Sequence, residues 1–409
     1  MADYFTITDT LYSITDRYPE TIAVFASNGF PQMKDAAQRE TFGKMITFEA
    51  ALRMKDRHPQ TFMQLLNEVI STERDGADAT LTQSTQTDEH PLNVVGLLPC
   101  PVRLPLLEQY NAFASTNGLT RVNTELKAAS VGTQWVQENL DGITKASQLP
   151  DLFLSAGFDL FFDLKKIGRF RHQGIFKDLV RHHDENPLFR GRGLRDPSGS
   201  YSLISVVPAI FLVNTEELGD RLPPRSWADL LEPEWEESVA LPVGDFDLFN
   251  AILLNIDNHY GEKGVKQLGR AMLQALHPAQ MVRSNRLKER RPAVTIMPYF
   301  FTKTARVGGA MEALWPEDGA IISPIFMLAK KARATELQPL VDFFASREVG
   351  ETLAHQGLFP SLHPEVNNNL ADDTPMMWLG WDKILATDLS AEIERCEALF
   401  AASASKGRP

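Results

Sequence analysis

From Leu92 onward, short apolar runs bounded by proline and glycine alternate with segments whose apolar residues recur at helical spacing. That alternation restricts the fold to α/β, with parallel sheets flanked by helices. The strand candidates are Leu92–Leu98, Asp151–Leu154, Ser205–Val213, Val239–Leu241, Val294–Met297 and Ile321–Lys330. Between and after them Leu248–Ile256, Val265–Ala275, Glu336–Ala345 and Ala391–Ala401 carry helical periodicity, as does the run Leu104, Leu107, Tyr110, Phe113.

A chain of 409 residues exceeds one ordinary core, so two or three domains are expected. Residues 6–71 read as a compact helical module. Thr8 or Asp9 caps a helix through Leu11, Ile14 and Tyr18; Asn28-Gly29-Phe30-Pro31 is a stop; Thr47 and Pro59 open two more helices. Residues 72–91 are poor in apolar side chains and read as a linker, so the first domain is 1–71. A formal charge of -12 disfavours a nonspecific hold on phosphate backbones, and nucleic acid is not an expected partner. Apolar stretches such as Leu152–Phe162 are broken by charge well short of the roughly 18 residues a membrane helix needs, so no membrane span is expected. The first residues lack the basic and apolar regions of a secretory leader, and Cys100 and Cys396 are the only cysteines. The expectation is a cytoplasmic protein, or a periplasmic one if a leader has been removed.

Pro224-Arg-Ser-Trp-Ala-Asp-Leu-Leu-Glu-Pro-Glu-Trp235 resembles the segment by which type II periplasmic binding proteins of ABC transporters, the ferric-iron branch above all, enter their second lobe. Tyr201–Asn214 resembles that family's hinge-crossing strand, Ala240-Leu-Pro242 the strand before a ligand loop, and Trp315-Pro-Glu-Asp-Gly319 the return to the first lobe. Leu340–Ser346 and Gln356–Pro360 resemble its late helix and closing segment. The resemblance implies a two-lobed fold with lobe 1 formed by 92–208 and 321–409, lobe 2 by 209–320, and the small all-α domain in front. Residues 6–71 resemble a small helical domain of unknown function also found at the head of iron-sulfur-cluster repair di-iron proteins, through Tyr18-Pro19-Glu20 and Asn28-Gly29-Phe30. Where a cysteine often follows that Gly-Phe turn, this chain has Gln32 and Met33.

In open α/β sheets ligands bind beyond the carboxyl ends of the strands, and in this fold the cleft lies between the lobes. The candidate ligand residues are therefore in the loops after the strands. Cys100 and Arg103 lie after the first strand, where the thiol is either inert core or a functional group beside a guanidinium. Ser155 and Gly157 form a small-residue loop, either a ligand-approach site or an ordinary turn. Asp245 and Asp247 precede a helix and serve either as caps or as ligand contacts. Tyr299 and Phe300 fall where the iron branch carries adjacent iron-binding tyrosines, and Tyr201 adds an aromatic face. With one of two phenolates replaced by phenyl, no metal and no cofactor are expected; a small organic or anionic solute suits the set. His182-His183-Asp184 reads as a solvated polar stretch, because adjacent side chains diverge.

The expected function is solute binding by hinge closure, without bond chemistry, with a cytoplasmic sensor role in which residues 1–71 engage a protein partner. The alternatives are an enzyme on the same fold with Cys100 as nucleophile, or a partner-docking module.

Overall fold

A computed structural model describes the chain except residues 1–3, 19–20, 28–29, 56–61, 64–65, 67–69, 71–80, 84–90, 99–101, 120, 129–139, 141–142, 165, 244–245, 276–289, 305–308 and 405–409. Two compact units divide at the Leu81–Thr82 bond.

The first unit is helical. Thr10, rather than Thr8 or Asp9, caps the helix Leu11–Arg17 by accepting from the Ser13 N–H, because the Asp9 carboxylate is already taken by the Thr6 N–H. Thr47 caps Phe48–Met54 in the same way. Phe25, Phe48 and Phe62 meet edge-on or tilted at centroid separations of 5.6–6.1 Å, and Leu11, Ile14, Leu52, Leu66 and Ile70 close around them. Each fully buried side chain of this kind contributes about 1.5–3 kcal/mol, which lets so short a segment hold its own core.

The second unit is built on one mixed sheet. Its strands are β1 (Leu81–Gln83), β2 (Leu92–Leu98), β3 (Val122–Ala128), β4 (Leu152–Ala156), β5 (Ser202–Asn214), β6 (Val239–Leu241), β7 (Met272–Ala275), β8 (Val294–Pro298), β9 (Met311–Leu314), β10 (Ala320–Ala329) and β11 (Met376–Met377). The spatial order is β1-β3-β2-β4-β10-β5-β8-β6-β7, with β9 on β5 and β11 on β10. β3, β2 and β4 run parallel, as do β8, β6 and β7. The expectation of purely parallel sheets is corrected at the centre, where β4, β10, β5 and β8 pair antiparallel. The reason is connectivity: β5 carries the chain out of the first lobe and β10 brings it back, so the two must run in opposite directions. Residues 202–209 of β5 lie beside β10, and 209–213 lie beside β8, so this one strand joins the two sides of the sheet.

Val265–Ala275 is corrected in part. Helical structure ends at Ala271, and Met272–Ala275 pairs with β6 as β7. Within Phe246–Ala271 the helix breaks at Gly261, whose φ of 64° lies in the left-handed region.

A buried ion pair ties the first lobe together. Lys330, at the end of β10, donates from Nζ to Asp151 Oδ1 (3.1 Å) and to the Leu149 carbonyl (2.5 Å), and the Asn93 N–H donates to Asp151 Oδ2 (2.9 Å). One charge pair thus holds β2, β4 and β10 in register.

Candidate functional site

The strand ends that can face a ligand follow from this topology. β2 runs into the helix Arg103–Thr116, and β6 runs into the helix that begins at Phe246, so two helix N-termini stand beyond parallel strands. β4 ends in Ser155-Ala156-Gly157, and β8 ends in the 3-10 turn Tyr299–Thr304.

Cys100 and Asp245 lie outside the described residues. Arg103 opens its helix and Asp247 lies in the first turn of its own, but both side chains are also outside what is described. Gly157 has a φ of 100°, and its N–H donates to the Pro324 carbonyl of β10 (3.2 Å), so the β4 loop is fastened to a crossing strand. Ser155 is fully buried and its hydroxyl donates to the neighbouring Ala156 carbonyl (3.0 Å). Its one proton is spent on local backbone.

Tyr201 stands apart from this set. Its ring is 1% exposed and stacks on Phe162 at 4.9 Å, with Trp381 and Phe326 at 5.8 and 6.1 Å. The hydroxyl donates to the Phe161 carbonyl, and burial raises the phenol well above its ordinary value. The expected aromatic ligand face is here a member of the first-lobe core. Tyr201 also borders a recess of about 70 Å³ with Asp178, His182, Arg195 and Asp196. Two of its acids are already engaged: Asp178 accepts from Ser202 and the Val180 N–H, and Asp196 accepts from Ser198, Ser200 and the Tyr201 N–H.

Tyr299 and Phe300 come together with residues that sequence reasoning did not single out. Tyr299 meets Trp315 edge-on at 5.2 Å, and the Trp315 indole N–H donates to the Pro375 carbonyl (2.7 Å). Half-burial raises the Tyr299 phenol above its ordinary value, and its hydroxyl can donate one hydrogen bond. Phe300 stacks on Phe359 with centroids 6.4 Å apart and planes at 24°. The signal for Trp315 and Phe359 was their place in the two late motif segments; the contacts themselves are tertiary.

The second-lobe motif closes on itself. The Trp227 N–H donates to both oxygens of Asp318 (3.0 and 2.9 Å), and its indole donates to the Gly319 carbonyl (2.9 Å). Ser226 and Asp229 form a reciprocal capping box around the same turn. The segments 224–235 and 315–319, far apart in sequence, are thus one packed joint, and it locks the exit from β5 to the return into β10.

Parallel strands on either side of antiparallel crossing strands in one sheet, with helices opening after β2 and β6, match the architecture of a two-lobed binding protein. The chain matches the bacterial extracellular solute-binding protein family over residues 147–387, more than half its length, and belongs to that family. Residues 5–63 match a domain of unknown function (DUF1858). No curated protein matches the sequence. Among solved structures it is similar to the substrate-binding protein of an ABC transporter from Agrobacterium tumefaciens (16% identity, 78% of this chain and 99% of that one, TM-score 0.53). It is also similar to the apo ferric ion-binding protein A of Pasteurella haemolytica (12%, 78% and 100%, TM-score 0.55) and to iron-bound HitA of Pseudomonas aeruginosa (13%, 76% and 99%, TM-score 0.54). At these identities the likeness establishes the periplasmic-binding-protein fold. No helix among the described residues is long and apolar enough to cross a membrane.

Proposed function

We infer that the chain captures a small organic anion between its lobes, and that the lobes move about β5 and β10. The observation that carries this reading is the pair of central antiparallel strands: β5 pairs with β10 and with β8, and β10 pairs with β4 and with β5, between the parallel strands on either side. Two helix N-termini and the neutral Tyr299 hydroxyl offer donors without a full negative charge, which suits a carboxylate or oxyanion. Ferric iron is the less favoured cargo. It requires several anionic oxygens, and the turn after β8 places a phenyl ring, Phe300, beside its single phenol, Tyr299. The helical unit, with its own core, is assigned the output role: a surface that a protein partner reads in the cytoplasm.

The test is a thermal-shift screen of the intact protein against small carboxylates, sulfate, phosphate, molybdate, amino acids and ferric iron. Binding to the native state raises the melting temperature by mass action. A rise with one anion class is expected; a rise with ferric iron alone, or with nothing, would overturn the assignment. For the output role, cells carrying a chain without residues 1–81 should lose the solute-dependent response, and an unchanged response would remove it.

A further inference from the structure

β8 is buried along its whole length, and the chain then sets three aromatic residues in a row, Tyr299, Phe300 and Phe301, each only half-buried. Burial ends there, but apolar surface does not. A turn that faces only water gains nothing from three such side chains, whereas ligand sites are lined mainly by aromatic and apolar groups with a few polar ones among them.

Each of the three rings is held by the protein's own contacts. Tyr299 meets Trp315 edge-on, and Trp315 is itself tied to the Pro375 carbonyl. Phe300 stacks on the buried Phe359 and meets Phe301 edge-on at 5.2 Å. Phe301 packs against Leu212, Met297 and Met311, which root it in β5, β8 and β9. The Thr302 hydroxyl donates to the Tyr299 carbonyl (2.7 Å) and closes the turn. The rings thus form a fixed platform, with little side-chain freedom left to lose when a ligand packs on it.

One polar group stands on this platform. Among the described residues the Tyr299 hydroxyl has no hydrogen-bond partner, so its proton is available to an acceptor. The hydroxyl and the Phe300 ring belong to consecutive residues, about 3.8 Å apart at their Cα atoms, so a molecule that uses both needs its acceptor and its apolar body close together. An inorganic anion would leave the rings against water, and an uncharged hydrocarbon would leave the hydroxyl unpaired.

We propose that the solute is an aryl carboxylate, its ring packed on Phe300 and its carboxylate accepting from the Tyr299 hydroxyl, which makes Phe300 the residue that sets specificity. This deepens the anion-capture reading above and rests on it. A flat ring against Phe300 gains the geometry-dependent attraction of an aromatic pair, which a saturated ring of the same size does not.

The experiment is a calorimetric titration of benzoate, cyclohexanecarboxylate and acetate into the full-length chain and into Phe300→Leu, which keeps apolar volume and removes the flat face. In the unaltered chain benzoate should bind roughly tenfold or more tighter than acetate, from the added apolar burial. It should also bind roughly 2- to 10-fold tighter than cyclohexanecarboxylate, although the saturated ring is the more apolar of the two. Phe300→Leu should abolish the second preference and leave acetate within about twofold. Acetate binding as tightly as benzoate, no preference for benzoate over cyclohexanecarboxylate, or a preference that survives in Phe300→Leu would overturn the proposal. If the variant does not fold, the ratio of benzoate to cyclohexanecarboxylate affinity in the unaltered chain decides alone. Should benzoate fail to bind while another anion raises the melting temperature, anion capture stands and the aryl assignment falls; if no anion does either, both fall.

Discussion

At the scale of single residues, the sharpest dependence is on Lys330. Lys330 and Asp151 are 9% and 5% exposed, so removing the ammonium leaves a carboxylate in the interior whose remaining side-chain partners among the described residues are the Asn93 N–H and Arg333 at 3.9 Å. Lys330→Ala is expected to cost about 3 kcal/mol in urea unfolding, whereas the exposed neighbour Lys331→Ala should stay within about 0.5 kcal/mol. A second dependence is on pH. The rings of His182 and His363 meet at 4.9 Å, and burial holds both below the ordinary imidazole value, with His182 further lowered by His363. The unfolded chain therefore binds more protons than the folded one once pH drops below about 6.5. The contribution of this pair is present above that pH and is lost as pH falls through and below it. Urea midpoints at pH 7.5 and 5.5 should differ less in His182→Gln than in the unaltered chain; an equal difference in both would exclude the pair as a source. His182 was legible as part of a polar stretch, but its partner was not, because nothing local announces a contact with His363.

Among the elements, what could be read from sequence was whatever carried its own pattern. β2, β4, β5, β6, β8 and β10 each stand where an apolar run predicts a strand, to within a few residues at the ends. β3 was not among the expected strands although Val122, Thr124 and Leu126 alternate inward, since its outward Asn123, Glu125 and Lys127 dilute the apolar signal. β7 and β9 are four residues each, too short for periodicity, and owe their strand form to β6 and β5. Of the site, the order of strands and helices could be read, while the burial of Tyr201 could not: a tyrosine at the start of an apolar strand carries no local mark of the Phe162, Phe326 and Trp381 rings around it. The joint between 224–235 and 315–319 makes its own prediction. Gly319 has a φ of 116°, and a Cβ there would lie 2.6 Å from the Met376 backbone carbon. Gly319→Ala should destabilise by about 2 kcal/mol or more in the same urea assay; a loss under about 0.5 kcal/mol would show that the β10–β11 junction yields easily.

For the whole molecule, the claim is that a chain of the extracellular solute-binding family uses the space between its lobes for a small anion, with Tyr299 among the groups that hold it. The most direct measurement is a calorimetric titration of whichever anion raises the melting temperature, into the unaltered chain and into Tyr299→Phe, which removes the hydroxyl and leaves the ring against Trp315. One solute per chain and an affinity loss of roughly tenfold in the variant, about 1.4 kcal/mol for a buried hydrogen bond to a charged group, are expected. Equal affinity in both proteins, with the melting temperature of the free variant unchanged, would contradict the placement of the solute at the β8 end.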